Sequence, residues 1–378
     1  MGESRMNKPK VLFILKRRED YSTDIKNFTD YTIATGMYSS STFVSNMLKD
    51  SGVESKVVIV IDNNDIDREV SSFKPTHVFI EGFWVVPEKF DVLIPLHKNV
   101  KWVVRCHSEM PFLAQEGIAM GWVFEYLKRG VVVSGNNPRI NRELKVIAYA
   151  GLNFSMDKLE KNIPLLTNYY PINNDKIKTR NIDNGVINIG CFGAFRPMKN
   201  QLSQAVAAIE FAEQYGLKLR FHVNTGRLEM NGANPLKNIR SLFENVKHHE
   251  LIEHPWTSHS QFLGLIGSMD LNMQVSFSET FNIVSADSIN MGVPILVSSE
   301  IPWATRPFAD PTSTVDMVEK LSRVMFNSEC LVIRNKLGIK RYSERSRQLW
   351  LNFLLGKKES RKEKIEKYIK NFFANIFS

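Results

Sequence analysis

Residues 276–298, SFSETFNIVSADSINMGVPILVS, follow an apolar run at 271–275 and open with a polar loop that carries Glu279. A helix-like segment comes next, with Asp287 eight residues beyond Glu279. Gly292 and Pro294 stop that segment, and 294–297 reads as the next buried strand. A strand, a short loop and a helix start make an anion site, because the first helical N–H groups have no partner inside the helix. One carboxylate in the loop and another two turns into the helix can grip hydroxyls beside the anion, which suits a sugar nucleotide. Two acids at this spacing are also an ordinary surface arrangement. The surrounding residues favour a site: Ser278 before the acid, Phe281 after it, small Ala286 before Asp287, and Gly292-Val293-Pro294 closing the unit.

Working back from this stretch, the second half of the chain alternates short apolar runs (186–190, 217–223, 251–254, 271–275) with helical patterns (202–215, 236–246, 262–266, 315–325). The first half does the same with apolar runs at 11–15, 57–61, 77–80, 102–105 and 131–134. Strands alternating with helices predict parallel sheets covered on both faces. Ligands in such sheets sit beyond the carboxyl ends of the strands. The residues expected there are Gly36, Glu81-Gly82, His107-Ser108-Glu109 and Ser134-Gly135-Asn136 in the first half. Ser39 to Thr42 supply N-cap candidates for the helix at 43–48. The predicted fold is therefore α/β, with two doubly wound Rossmann-like domains at 1–170 and 186–340, a polar hinge at 171–185, and C-terminal helices with a basic amphipathic tail at 341–378.

The loop GAFRPMKN at 193–200 lies between a strand and a helix and carries Gly193, Arg196 and Lys199. A guanidinium fork and an ammonium together neutralise a departing diphosphate, whose charge grows as its bond to sugar breaks. A solvated basic loop is the plainer alternative, and the position at the end of a strand favours function.

The two doubly wound halves, the FRPMKN loop and the SETFNIVSAD stretch resemble a GT-B glycosyltransferase, and the pattern is similar to retaining glycosyltransferase family 4. That resemblance implies Arg196 and Lys199 on the diphosphate and Glu279 beside the donor sugar. It implies the amides of Thr280, Phe281, Asn282 and Ile283 on the distal phosphate or sugar, and the second acid on the ribose hydroxyls. The second acid here is Asp287, one methylene shorter than the family's Glu, and Asn282 stands where the family usually has Gly. The donor set further includes Gly193, Gly36 of the TGMYSSS loop, and Trp256 of HPWT near the nucleobase. His107, at a strand's end, is expected either to bond the donor sugar or to be a packed structural histidine.

The formal charge is +9, from 49 Lys and Arg against 40 Asp and Glu. Residues 334–378 hold 13 cations and 4 acids, so the remaining chain has 36 of each sign. The body is therefore neutral, and the basic excess belongs to the C-terminus. There, Ile365, Tyr368, Ile369, Phe372, Phe373, Ile376 and Phe377 share one helical face, with lysines toward the other. That tail, 357–378, suits another protein surface, an anionic membrane or nucleic-acid phosphates. No apolar run reaches the ~18 residues of a spanning helix. The three cysteines, Cys106, Cys191 and Cys330, share no metal spacing. Together these predict a cytoplasmic protein, peripheral at an inner membrane at most. Asp65-Ile66-Asp67 reads as a solvated helix start, and Lys247-His248-His249-Glu250 with His254 fits no usual zinc spacing. No metal and no cofactor are expected beyond the nucleotide-diphosphate-sugar co-substrate.

The expected acceptor is a cell-envelope glycan or lipid, or hydroxymethylated DNA. The short polar loops, the neutral body and the motif departures resemble transferases encoded by bacteriophages, some of which glycosylate such bases. Two other readings use the same scaffold: an enzyme similar to nucleotide-sugar 2-epimerases, and a non-catalytic nucleotide-sugar or membrane-binding module.

Overall fold

The computed structural model describes residues 8–17, 36–173 and 185–356. Most of the expected hinge (174–184), Thr35 of the first loop and the whole basic tail (357–378) lie outside the described residues. Among the described residues, ten strands form two all-parallel sheets. The first contains β1 Lys10–Lys16, β2 Glu54–Val60, β3 His77–Glu81, β4 Lys101–Cys106 and β5 Val132–Gly135, in the order β2-β1-β3-β4-β5. The second contains β6 Val186–Gly190, β7 Lys218–Asn224, β8 Glu250–His254, β9 Leu271–Gln274 and β10 Ile295–Val297, in the order β10-β9-β6-β7-β8.

The continuous apolar runs follow from burial on both faces. In β1, Leu12 and Ile14 enter one core while Val11 and Phe13 enter another, so alternate residues serve opposite layers of helix. The order of the second sheet reverses between β6 and β9, and a crevice opens outside the strand ends at such a reversal. The loops at that point are 191–200 and 275–282, which carry the two motifs. Among the described residues, no helix is long and apolar enough to cross a membrane.

The helix after β1 spans Gly36–Asp50, so Ser39, Ser40 and Ser41 lie inside it and do not cap it. Instead, the Ser41 hydroxyl donates to the Met37 carbonyl one turn back. The helix Ser328–Leu354 runs unbroken through residue 340 and returns to the first sheet. There Trp350 is fully buried against Phe79 and Phe13, with ring centroids 4.9 and 5.6 Å away. Its indole N–H donates to the Thr167 carbonyl at 2.9 Å. Tyr170, at the end of the first half, packs in a second-domain core with Phe281, Trp303 and Ile339.

Candidate active site

A cleft of about 810 Å³ lies between the strand ends of the two sheets. All twelve residues predicted from the sequence line it, including Gly36 and His107 from the first domain and Trp256 from the second.

The loop after β6 turns at Gly193, where φ is +109°, a conformation L side chains avoid. The Gly193 N–H donates to Asn224 Oδ1 at 3.2 Å. Backbone bonds from Phe195 N to Arg227 O (3.0 Å) and from Glu229 N to Phe195 O (2.8 Å) tie this loop to the one after β7. A third cation, Arg227, therefore joins Arg196 and Lys199 at the cleft, and Glu229 ion-pairs with both arginines, 3.4 Å from Arg196. The Arg196 guanidinium also lies 4.8 Å from the Phe112 ring of the first domain. Asn200 and Gln204 anchor the next turn to Val275, which brings Lys199 beside the loop after β9.

Lys199 Nζ and Glu279 Oε1 form an ion pair in a nearly closed environment. Burial works against the Glu279 carboxylate, but Lys199 and Arg196 outweigh it and hold its pKa below the ordinary value. Burial lowers the Lys199 pKa despite the pull of Glu279. Three cations face two carboxylates here, and the excess positive charge suits a diphosphate.

The amides predicted to meet the distal phosphate come from a loop that the structure holds tightly. The Phe281 ring packs on Trp303 and Tyr342, and its carbonyl accepts from Trp303 Nε1 at 2.8 Å. Asn282 caps the helix Ile283–Asn290, its side chain accepting from Ser285 N at 2.9 Å. Its φ is +58°, which explains how Asn substitutes for Gly: Asn is among the few other residues that tolerate the left-handed region. Ile283 packs across the cleft on Gly36, where a Cβ would lie 3.7 Å from Ile283 Cγ2.

Asp287 is buried. Its Oδ1 accepts from Tyr170 Oη at 2.7 Å and from His259 Nε2 at 2.9 Å. Its Oδ2 is buried with no hydrogen-bond partner among the described residues. An unmade acceptor costs about 1–3 kcal/mol, so this oxygen is an apt seat for a ligand hydroxyl. Burial pushes the Asp287 carboxyl pKa up, and the bond to Asp287 raises that of His259. Trp256 sits against Gly226, where a Cβ would fall 2.8 Å from the Trp256 backbone nitrogen. The Arg227 guanidinium lies 5.6 Å from the Trp256 ring.

His107 spends both ring nitrogens inside the protein, Nε2 on Glu81 and Nδ1 on Asn136 at 3.3 Å. The Lys247–Glu250 and His254 set is not brought together. Glu250 pairs with Lys218 and Arg220, and His254 Nε2 bonds His222 Nδ1 at 2.9 Å. Glu213, His248 and His249 do gather, the first two exposed and His249 buried. However, His249 Nδ1 accepts from Leu219 N at 3.1 Å, so in the neutral ring Nε2 holds the proton and offers a metal no lone pair. Asp65 and Asp67 open the helix Asp65–Phe73, as expected.

Sequence reasoning missed Arg227, Glu229, Tyr170 and His259. Arg227 and Glu229 carried a usable signal, since they follow a strand end. Tyr170 carried none, being the last residue of the predicted first domain.

No family model matches the chain, and no curated protein matches it. Solved structures do. A UDP-forming α,α-trehalose-phosphate synthase from Burkholderia xenovorans aligns with TM-score 0.62 at 10% identity, covering 91% of this chain and 98% of that one. Sucrose-phosphate synthase from Thermosynechococcus elongatus aligns with TM-score 0.59 at 12% identity, covering 97% and 100%. An E. coli trehalose-6-phosphate structure bound with UDP-2-fluoro glucose aligns with TM-score 0.63 at 8% identity, covering 91% and 99%. These likenesses show the fold: two Rossmann-like domains in the GT-B arrangement of glycosyltransferases, closed by a long C-terminal helix.

Proposed function

We propose that this GT-B chain is a retaining glycosyltransferase that moves a sugar from a nucleotide-diphosphate donor to an acceptor hydroxyl. The carrying observation is that Lys199 pairs with Glu279 while Arg196 and Arg227 pair with Glu229, all in one cleft at the reversal point of the second sheet. In this reading the cations hold the diphosphate and stabilise it as it leaves. Asp287 Oδ2 takes a ribose hydroxyl, and Trp256 flanks the base. The acceptor enters from the first domain, and closure keeps water out. A uridine nucleotide is the first donor to test, since one similar structure was solved with UDP-2-fluoro glucose. The acceptor classes are a cell-envelope glycan or lipid, and hydroxymethylated DNA.

The test is a thermal-shift screen of UDP-, GDP-, ADP- and dTDP-sugars, followed by product analysis with each acceptor class. At a hundred times its Kd, a ligand of the folded state adds about 2.7 kcal/mol of stability. Free nucleotide with a glycosylated acceptor is the expected product. An altered sugar without acceptor would instead mark an epimerase, and no shift with any nucleotide sugar would remove the proposal.

The His259–Asp287 bond predicts a pH effect. A histidine whose pKa is raised by folding adds stability fully present below its unfolded value, ~6.5, and lost as pH rises through the folded value. The melting temperature of His259→Gln should therefore approach that of the wild type as pH is raised from 6 to 9. A gap that stays constant over this range would show that His259 carries no proton-linked bond.

A further inference from the structure

The loop carrying Glu279 is fastened to the opposite domain by its next residue. The Thr280 hydroxyl donates to the His107 carbonyl at 3.1 Å and accepts from Asn136 Nδ2 at 3.1 Å. The Thr280 carbonyl accepts from Asn137 Nδ2 at 2.9 Å. All three side chains at this contact are buried.

The hydrogen-bond directions are fixed from the far end. Arg105 grips Glu81 with one nitrogen 3.0 Å from each oxygen, keeping it a carboxylate. His107 Nε2 faces that carboxylate and so carries its proton there, which leaves Nδ1 of the neutral ring as an acceptor. Asn136 must then present its NH₂ group, whose two protons serve His107 Nδ1 and Thr280 Oγ1. Asn137 is equally committed. Its Oδ1 accepts from Arg139 N at 2.9 Å and caps the helix Pro138–Leu152, while its NH₂ reaches Thr280.

We propose that Asn136 and Asn137 are positioning residues: through Thr280 they hold the Glu279 loop in working geometry when the two domains are closed. This places His107 in the holding network and not on the donor sugar. The idea rests on the sugar-transfer reading, and its test is arranged to fail separately from it.

The informative substitutions change the latch and spare the fold. Asn137→Asp keeps the cap oxygen but sets a carboxylate against the Thr280 carbonyl. Thr280→Val removes the hydroxyl at nearly constant shape, and Thr280→Ser restores it. Full-length variants are compared by melting temperature, by hydrogen exchange of residues 277–283, and by donor kcat and KM. In Asn137→Asp and Thr280→Val, loop exchange should rise by about tenfold and kcat fall by about tenfold or more, with donor KM changed less than about threefold. Melting temperatures should stay within about 3 °C, and Thr280→Ser should return both rates to near wild type. Unchanged loop exchange in both variants overturns the latch, as does unchanged kcat with an active wild type. If the wild type turns over no nucleotide sugar but the variants exchange faster, the sugar-transfer reading fails and the latch stands on the exchange result.

Discussion

Lys199→Ala is expected to lower donor turnover by about 10²- to 10³-fold, the usual cost of removing one donor that meets developing transition-state charge. The loss should appear in kcat, because a leaving diphosphate carries more charge in the transition state than in the bound donor. The same change also strands Glu279, which is buried and paired with Lys199. Breaking one side of a buried ion pair costs about 3–5 kcal/mol, so a dead Lys199→Ala enzyme alone would not separate chemistry from folding. The double variant Lys199→Met/Glu279→Gln does. It removes both charges at similar volume and should bring stability back to within about 2 kcal/mol of wild type. Transfer should remain lost. Urea unfolding and initial rates on the same samples make the comparison. A double variant that regains most of its rate would show that these two charges serve only each other.

The parts of this molecule that were legible in the sequence are those whose physics is local. A central strand such as β1 is buried on both sides, so a run like VLFIL at 11–15 announces itself without knowledge of a partner. Arg196, Lys199 and Glu279 were legible for a related reason. Each lies in a loop just past a strand, and parallel strands deliver such loops to one edge. The departure at 282 also has a local explanation, since Asn accepts the +58° turn that otherwise calls for Gly. What stayed hidden depends on partners far along the chain. Tyr170 meets Asp287 across 117 residues, and Asn137 meets Thr280 across 143. Nothing in either neighbourhood encodes the other. Ser39 to Ser41 misled for the opposite reason. Serines are good caps, but this helix already starts at Gly36, and their small side chains serve close packing instead. Trp350 reads as one aromatic among charges, and only the return of its helix to Phe13 and Phe79 makes it core.

Arg105 is the site where a single substitution should cost the fold most. Its side chain and that of Glu81 are both fully buried. Besides its two contacts to Glu81, Arg105 donates to Asn168 Oδ1 at 2.8 Å and lies 5.0 Å from the Trp350 ring. It thereby joins the first sheet, the segment leaving it and the returning C-terminal helix. Arg105→Met should destabilise the protein by about 3–5 kcal/mol at pH 7, because an uncompensated carboxylate is left in the core. In the wild type, burial opposes the Glu81 charge, but Arg105 and His107 prevail and hold its pKa down. A depressed carboxylate adds stability above its unfolded pKa, which is lost as pH falls through the folded value. In Arg105→Met the balance reverses, and Glu81 survives burial by taking a proton. The cost of that proton falls by about 1.4 kcal/mol per pH unit toward the unfolded pKa near 4.5. The stability gap between wild type and variant should therefore be largest at neutral pH and narrow toward pH 5, and Arg105→Met/Glu81→Gln should close most of it at pH 7. Urea denaturation at the two pH values reads this directly. A gap below about 1 kcal/mol, or one equally wide at both pH values, would mean that the buried pair is not what holds these three elements together.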